Sequence, residues 1–138
     1  MEGLIDGTLD VLATDHAPHA PEKKMRELDQ TPNGIIGLET FLPICVKGLI
    51  ETKRLTWPQM IAKMTVGPAE VLGIDRGTLK PEALADVTVI DPQVKWTVDA
   101  AQFHSKSRNT PWHSAAMTGE TRGQRFPSDS PQPGRAIF

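Results

Sequence analysis

Apolar residues fall in short runs along the chain, and the spacing within the runs changes near residue 75. Residues 9–14, LDVLAT, make a brief apolar and β-branched run that predicts a strand buried on both faces. The next stretch, residues 15–37, holds three prolines and two glycines, which predicts a long loop hanging from the carboxyl end of that strand. From residue 38 to residue 52 the apolar positions Leu38, Phe41, Leu42, Cys45, Leu49 and Ile50 recur at helical spacing, with an irregularity expected at Pro43. Residues 56–65, TWPQMIAKMT, predict a second helix with Thr56 as N-cap and Pro58 in the first turn. Residues 67–73 predict a third, opened by Pro68 and closed by Gly73.

Beyond Asp75 the period shortens. ADVTVIDP and VKWTV, residues 85–92 and 94–98, read as two short strands with a turn at Asp91 and Pro92. Residues 118–138 are polar, with three prolines and three glycines before a last AIF, and predict an irregular tail. Three parts are therefore expected: strand, loop and helices over residues 1–75, a partial β-sandwich over 76–117, and the tail over 118–138. No internal repeat is visible.

Composition narrows the function classes. The chain has 138 residues, 38% of them hydrophobic and 23% charged, with a net charge of -2. Such a balance gives no electrostatic case for nucleic acid or a membrane surface. The lone cysteine, Cys45, sits in the apolar run FLPICVKGLI and is expected to be a buried thiol in a reducing compartment. No charged leader with an apolar core and cleavage site is seen, and no uninterrupted apolar stretch approaches the roughly 20 residues of a membrane span, so a cytoplasmic location is expected.

The candidate chemistry sits at the end of the first run. Asp15, His16 and His19 follow it directly in TDHAPH, and a carboxylate at the carboxyl end of a parallel strand is where α/β barrels assemble active sites. On position alone Asp15 is either a catalytic or metal-binding carboxylate or a cap for the following turn. His19, between Pro18 and Ala20, is by default a solvent-facing loop histidine.

The wording of several motifs reduces that ambiguity. ATDHAPH (13–19), GIIGLET (34–40), GPAEVLG (67–73), LADVTVIDP (84–92) and SKSRNTP (105–111) occur in order. Together they closely resemble the carboxyl-terminal portion of bacterial-type dihydroorotases of the amidohydrolase superfamily. The resemblance implies an α/β fold: the last part of a zinc-dependent (β/α)₈ TIM barrel with part of a small β-sandwich beside it, the barrel being incomplete in this chain. It implies reversible hydrolysis of L-dihydroorotate to N-carbamoyl-L-aspartate in pyrimidine biosynthesis. Asp15 then resembles the metal-contacting catalytic acid/base, and His19 a residue that holds the substrate's carboxylate. Asn33 and Gly34 match the loop whose backbone touches the substrate ring, although the family more often has an aromatic residue at position 33.

His16 is expected to be a structural imidazole, because the family tolerates serine there. No metal role is expected of His104 or His113. The superfamily's His-x-His pair is absent, and only eight residues precede Leu9, as if a reading frame began late or a longer chain had been cut. The remaining Zn²⁺ ligands are thus expected from an amino-terminal part, and the chain alone is expected to be inactive. Glu82 stands where the family usually has glycine, and the residues after Trp112 depart from the family's final strand. Two other readings remain: a non-catalytic dihydroorotase-like partner of aspartate carbamoyltransferase, and a cyclic amidohydrolase of the allantoinase or hydantoinase type. A small-molecule substrate is expected throughout, with aspartate carbamoyltransferase or a second copy of the chain as partners.

Overall fold

The computed structural model describes residues 1–84 and 86–125. Short helices α1 (Glu2–Ile5) and α2 (Pro21–Lys24) flank the first extended stretch, and the three predicted helices follow as α3 (Phe41–Cys45), α4 (Trp57–Met64) and α5 (Val66–Leu72). Two antiparallel strands, β1 (Val87–Thr97) and β2 (Ala116–Arg125), close the described chain with a single 3₁₀ turn, Ala100–Gln102, between them.

The expected strand over residues 9–14 does not form. A strand exists only where a neighbour completes its ladder, and the described residues contain no neighbour for this one. Its backbone is tied to α4 instead: the Leu12 N–H donates to the Lys63 carbonyl at 2.9 Å, and Lys63 Nζ donates to the Leu9 carbonyl at 2.6 Å. Gly67 permits this approach, since a Cβ there would lie 2.8 Å from the Asp10 carbonyl oxygen.

The expected irregularity at Pro43 is displaced. Pro43 is the third residue of α3, inside the first turn, where its missing N–H has no intrahelical acceptor to lose. The helix departs from α geometry later, at Val46–Ile50, which is π-helical: the Glu51 N–H reaches the Val46 carbonyl at 3.0 Å, and the Arg54 N–H reaches that of Leu49 at 2.9 Å. Cys45, Val46 and Leu49 on this stretch are buried with Leu42, Leu55 and Met60, and together they form the core.

Both helix-end signals operate. The N–H and Oγ1 of Thr56 each donate to Gln59 Oε1, at 2.9 and 2.8 Å, which secures the start of α4. Gly73 takes the left-handed conformation (φ 64°), with the Ile74 N–H on the Ala69 carbonyl and its own N–H on that of Glu70, so α5 ends in a Schellman motif.

The two expected strands around Asp91 are one. Asp91 Oδ1 accepts from the N–H groups of Gln93 and Val94, so the turn becomes a bulge between Asp91 and Lys95 and pairing resumes beyond it. The irregular tail fails for its first eight residues, because Thr118 to Arg125 pair with β1. Gly119 is a packing residue there rather than a breaker: its φ is 86°, and a Cβ would stand 3.3 Å from Val46 Cγ2, so the sheet rests directly on the helix. Residues 126–138 lie outside the described residues. The sheet is thus two-stranded and packs on the helix that begins at α3; a second sheet layer is not among the described residues.

Burial pushes the Cys45 thiol up to about 11. The thiolate that reacts with alkylating reagents is then scarce at pH 8. We expect no labelling of the native chain at pH 8 and one equivalent after unfolding. Labelling of the native chain at the rate of a free thiol would show the core to be open.

Candidate active site

The chain leaves residues 9–14 through a sharp turn at Asp15, which holds φ 45°. Aspartate is among the few residues that accept this left-handed backbone at modest cost. The side-chain hydrogen bond of the turn comes from Thr14, whose Oγ1 accepts the His16 N–H at 3.2 Å. Capping is therefore done by Thr14, and the exposed Asp15 carboxylate has no hydrogen bond or ion pair among the described residues.

His16 turns inward. Its Nδ1 accepts the Gly37 N–H at 3.1 Å and the Leu38 N–H at 3.4 Å, which fixes the turn after Asp15 to the start of GLET. That engagement is structural.

His19, Asn33 and Gly34 meet although 14 residues separate the first two. His19 Nε2 lies 2.9 Å from the Asn33 carbonyl oxygen, which can only accept, so Nε2 carries a proton. Gly34 follows at φ 104°, and a Cβ there would stand 2.5 Å from the Ala17 Cβ. The two segments run together because the Ala17 N–H donates to the Ile35 carbonyl at 2.8 Å.

Four contributors carried no signal in the pattern of residue types. Lys24 Nζ donates to the carbonyls of Pro32 and Gly34, at 2.9 and 3.2 Å, and braces the loop from inside. Glu39 Oε1 accepts the Ser105 N–H at 2.8 Å, which draws residues 105–109 onto the loop. Ser107 and Asn109 then bond to it. The sequence marks SKSRNTP, like the GIIGLET that holds Glu39, only as a motif of the family resemblance and assigns its residues no role.

The metal expectation is limited by the donors present. Zinc takes three or four protein ligands in structural and catalytic sites. Among the described residues no group of three or more His, Cys, Asp or Glu side chains could hold a metal ion. Asp15 supplies one carboxylate, and His16 and His19 each commit a ring nitrogen to the backbone. These residues do not build a metal centre by themselves. His113 is elsewhere, with its Nδ1 accepting the Ala100 N–H at 3.2 Å.

Known proteins share both sequence and shape with this chain. The amidohydrolase family model matches residues 1–121. A protein of Geotalea daltonii named dihydroorotase is 53% identical over 117 residues, covering 85% of this chain and 27% of that protein. Another so named, from Pelotomaculum thermopropionicum, is 51% identical over 118 residues, covering 86% and 28%. The chain thus spans about a quarter of the length of the curated relatives it matches.

Among solved structures, the L-hydantoinase (dihydropyrimidinase) of Arthrobacter aurescens superposes with a TM-score of 0.78 at 29% identity, over 91% of this chain and 29% of that one. The D-hydantoinase of a Thermus species gives 0.80 at 22% identity, over 91% and 28%, and shares the fold. The architecture is accordingly part of an α/β barrel hydrolase with a small sheet beside it, and the missing ladder partners of residues 9–14 are what an incomplete barrel entails. With a family model spanning nearly all of the described residues and the site's loop intact, this chain belongs to the amidohydrolase family.

Proposed function

We propose that this segment supplies one active-site loop of a dihydroorotase, with Asp15 as the catalytic acid/base and His19, Asn33 and Gly34 as substrate contacts. The observation that carries the reading is the convergence of His19, Asn33 and Gly34 beside a turn that leaves the Asp15 carboxylate exposed and without a partner among the described residues. The names and identities of the curated relatives support the same activity.

Hydrolysis of a cyclic amide joins a water oxygen to the carbonyl carbon and breaks the carbon–nitrogen bond. One proton must leave the water and one must reach the departing nitrogen. A carboxylate in Asp15's position accepts the first and returns it as the second, so it ends as it began. The substrate also carries a carboxylate that does not react. With Nε2 donating to the Asn33 carbonyl, a His19 ring that carries a proton on Nδ1 as well can meet that anion with a charge-assisted hydrogen bond. Gly34 offers its backbone to the ring, and its missing side chain lets the arm close on Ala17, whose Cβ would stand 2.5 Å from a Cβ at Gly34.

Zn²⁺ is the proposed cofactor of the complete site, with Asp15 as one ligand and the others from parts of the enzyme beyond this segment. Such a metal supplies hydroxide at neutral pH by lowering the pKa of bound water to about 7. We place the enzyme in the cytoplasm; among the described residues no helix is long and apolar enough to cross a membrane.

A hydantoinase-type activity is the second reading, favoured by the solved structures that superpose on the chain. A full-length dihydroorotase carrying residues 1–121 of this chain in place of its own matching part separates the two. The expected result is turnover of dihydroorotate in both directions, with hydantoin a far poorer substrate. Equal or better kcat/KM for hydantoin would reject the dihydroorotase reading. The 138-residue chain alone should neither turn over substrate nor keep stoichiometric zinc through dialysis, and retention of zinc would show that it holds ligands we have not assigned.

A further inference from the structure

Residues 105–109 reach back over 75 to 92 positions of sequence to touch both arms of the loop. Asn109 makes the central link: its Nδ2 donates to the Ala17 carbonyl at 2.9 Å and to the Gly34 carbonyl at 3.3 Å. One amide thus spans the arm that follows Asp15 and the arm that holds Asn33 and Gly34. The backbone carbonyl of Asn109 accepts the Ile36 N–H at 3.1 Å, which fixes the second arm again. Two residues earlier the buried Ser107 donates from Oγ to the His19 carbonyl at 2.9 Å.

These four bonds surround the contact between His19 and Asn33 without using the imidazole or the Asp15 carboxylate. Ser107 holds the backbone of His19, and Asn109 holds the residue after Asn33. An Nδ2 group carries two hydrogens at short reach, which is what two carbonyls on different arms require. Hydroxyl or carboxylate side chains cannot replace it.

We infer that Asn109 is a positioning residue for substrate binding: it sets the spacing between the His19 arm and the Gly34 arm, so that the carboxylate contact and the ring contact fall on one substrate. The inference rests on the proposed roles of His19 and Gly34.

The test is a double-mutant cycle in the full-length enzyme carrying this segment. Asn109→Asp keeps the shape but turns an acceptor towards two carbonyl oxygens. Its KM for dihydroorotate should rise roughly tenfold with a smaller fall in kcat. His19→Ala should raise KM as well, and the two together should raise it by less than the product of the single effects, because the spacing no longer matters once the carboxylate contact is gone. A lowered melting temperature at native KM, or single effects that simply multiply, would overturn the positioning role. If Asn109→Asp does not fold, Ser107→Ala takes its place in the cycle under the same criteria. Native KM in His19→Ala would instead overturn the reading of the site on which this inference stands, whereas a raised KM there with native KM in Asn109→Asp sinks the inference alone.

Discussion

Replacing Asp15 by asparagine in the full-length enzyme carrying this segment is expected to lower turnover by roughly 10²–10⁴-fold, the usual share of general acid–base catalysis. The substitution isolates chemistry from architecture. Asp15 sits at φ 45°, and asparagine accepts that backbone about as readily as aspartate, so the turn should survive. The side-chain bond that holds the turn belongs to Thr14 and is untouched. Alanine would be a poorer choice, since it would add the left-handed penalty of roughly 1–2 kcal/mol to the loss of the base. Glycine removes the carboxylate at no backbone penalty and leaves a space, so formate added to Asp15→Gly should restore part of the turnover. The same formate should do nothing for Asp15→Asn, where the space is filled. Near-native turnover in Asp15→Asn at native metal content would reduce Asp15 to a loop acid.

How much of this was legible in the sequence depends on the range of the interaction concerned. Thr56 and Gly73 mark their helix ends from within a few residues, and both act as the pattern predicts. The strand over residues 9–14 is predicted from a run that has no ladder neighbour among the described residues, and its Leu9 N–H bonds to Gly3 of α1 and its Leu12 N–H to Lys63 of α4 instead. Pro43 looks disruptive only if the helix starts at Leu38; it starts at Phe41, and the proline becomes harmless. Gly119 counts as a breaker in a composition argument, yet the close approach of β2 to Val46 requires it.

The site divides in the same way. Asp15 and His19 stand together in one motif and can be singled out there, whereas Ser107 and Asn109 act across at least 75 residues. No periodicity spans that distance. Thr14 shows a subtler failure: sequence reasoning offered capping as Asp15's alternative role, and the neighbouring hydroxyl performs it. Glu39 Oε2 and Asn109 Oδ1 are buried without a hydrogen-bond partner among the described residues, beside the bonds made by Glu39 Oε1 and Asn109 Nδ2.

Gly34→Ala tests whether the close approach of Gly34 to Ala17 matters for function. Two separate obstacles meet the added methyl group: the backbone at φ 104°, which an L side chain rarely adopts, and the Ala17 Cβ at 2.5 Å. Ala17 cannot easily give way, because its N–H is bonded to Ile35 and its carbonyl to Asn109. The Gly34 arm has to move instead, and a shift of about 1 Å in groups that position a substrate can lower the rate about 10²-fold. We therefore expect kcat/KM for dihydroorotate to fall by about that factor, with a loss of roughly 1–3 kcal/mol in stability from overpacking and backbone strain. Adding Ala17→Gly separates the two obstacles: it removes the clash but leaves the φ penalty, so it should return part of the activity and only part. Full recovery would assign the whole effect to sterics. Native kcat/KM in Gly34→Ala itself would mean that the arm can move without consequence, and the placement of the substrate against Gly34 would fall.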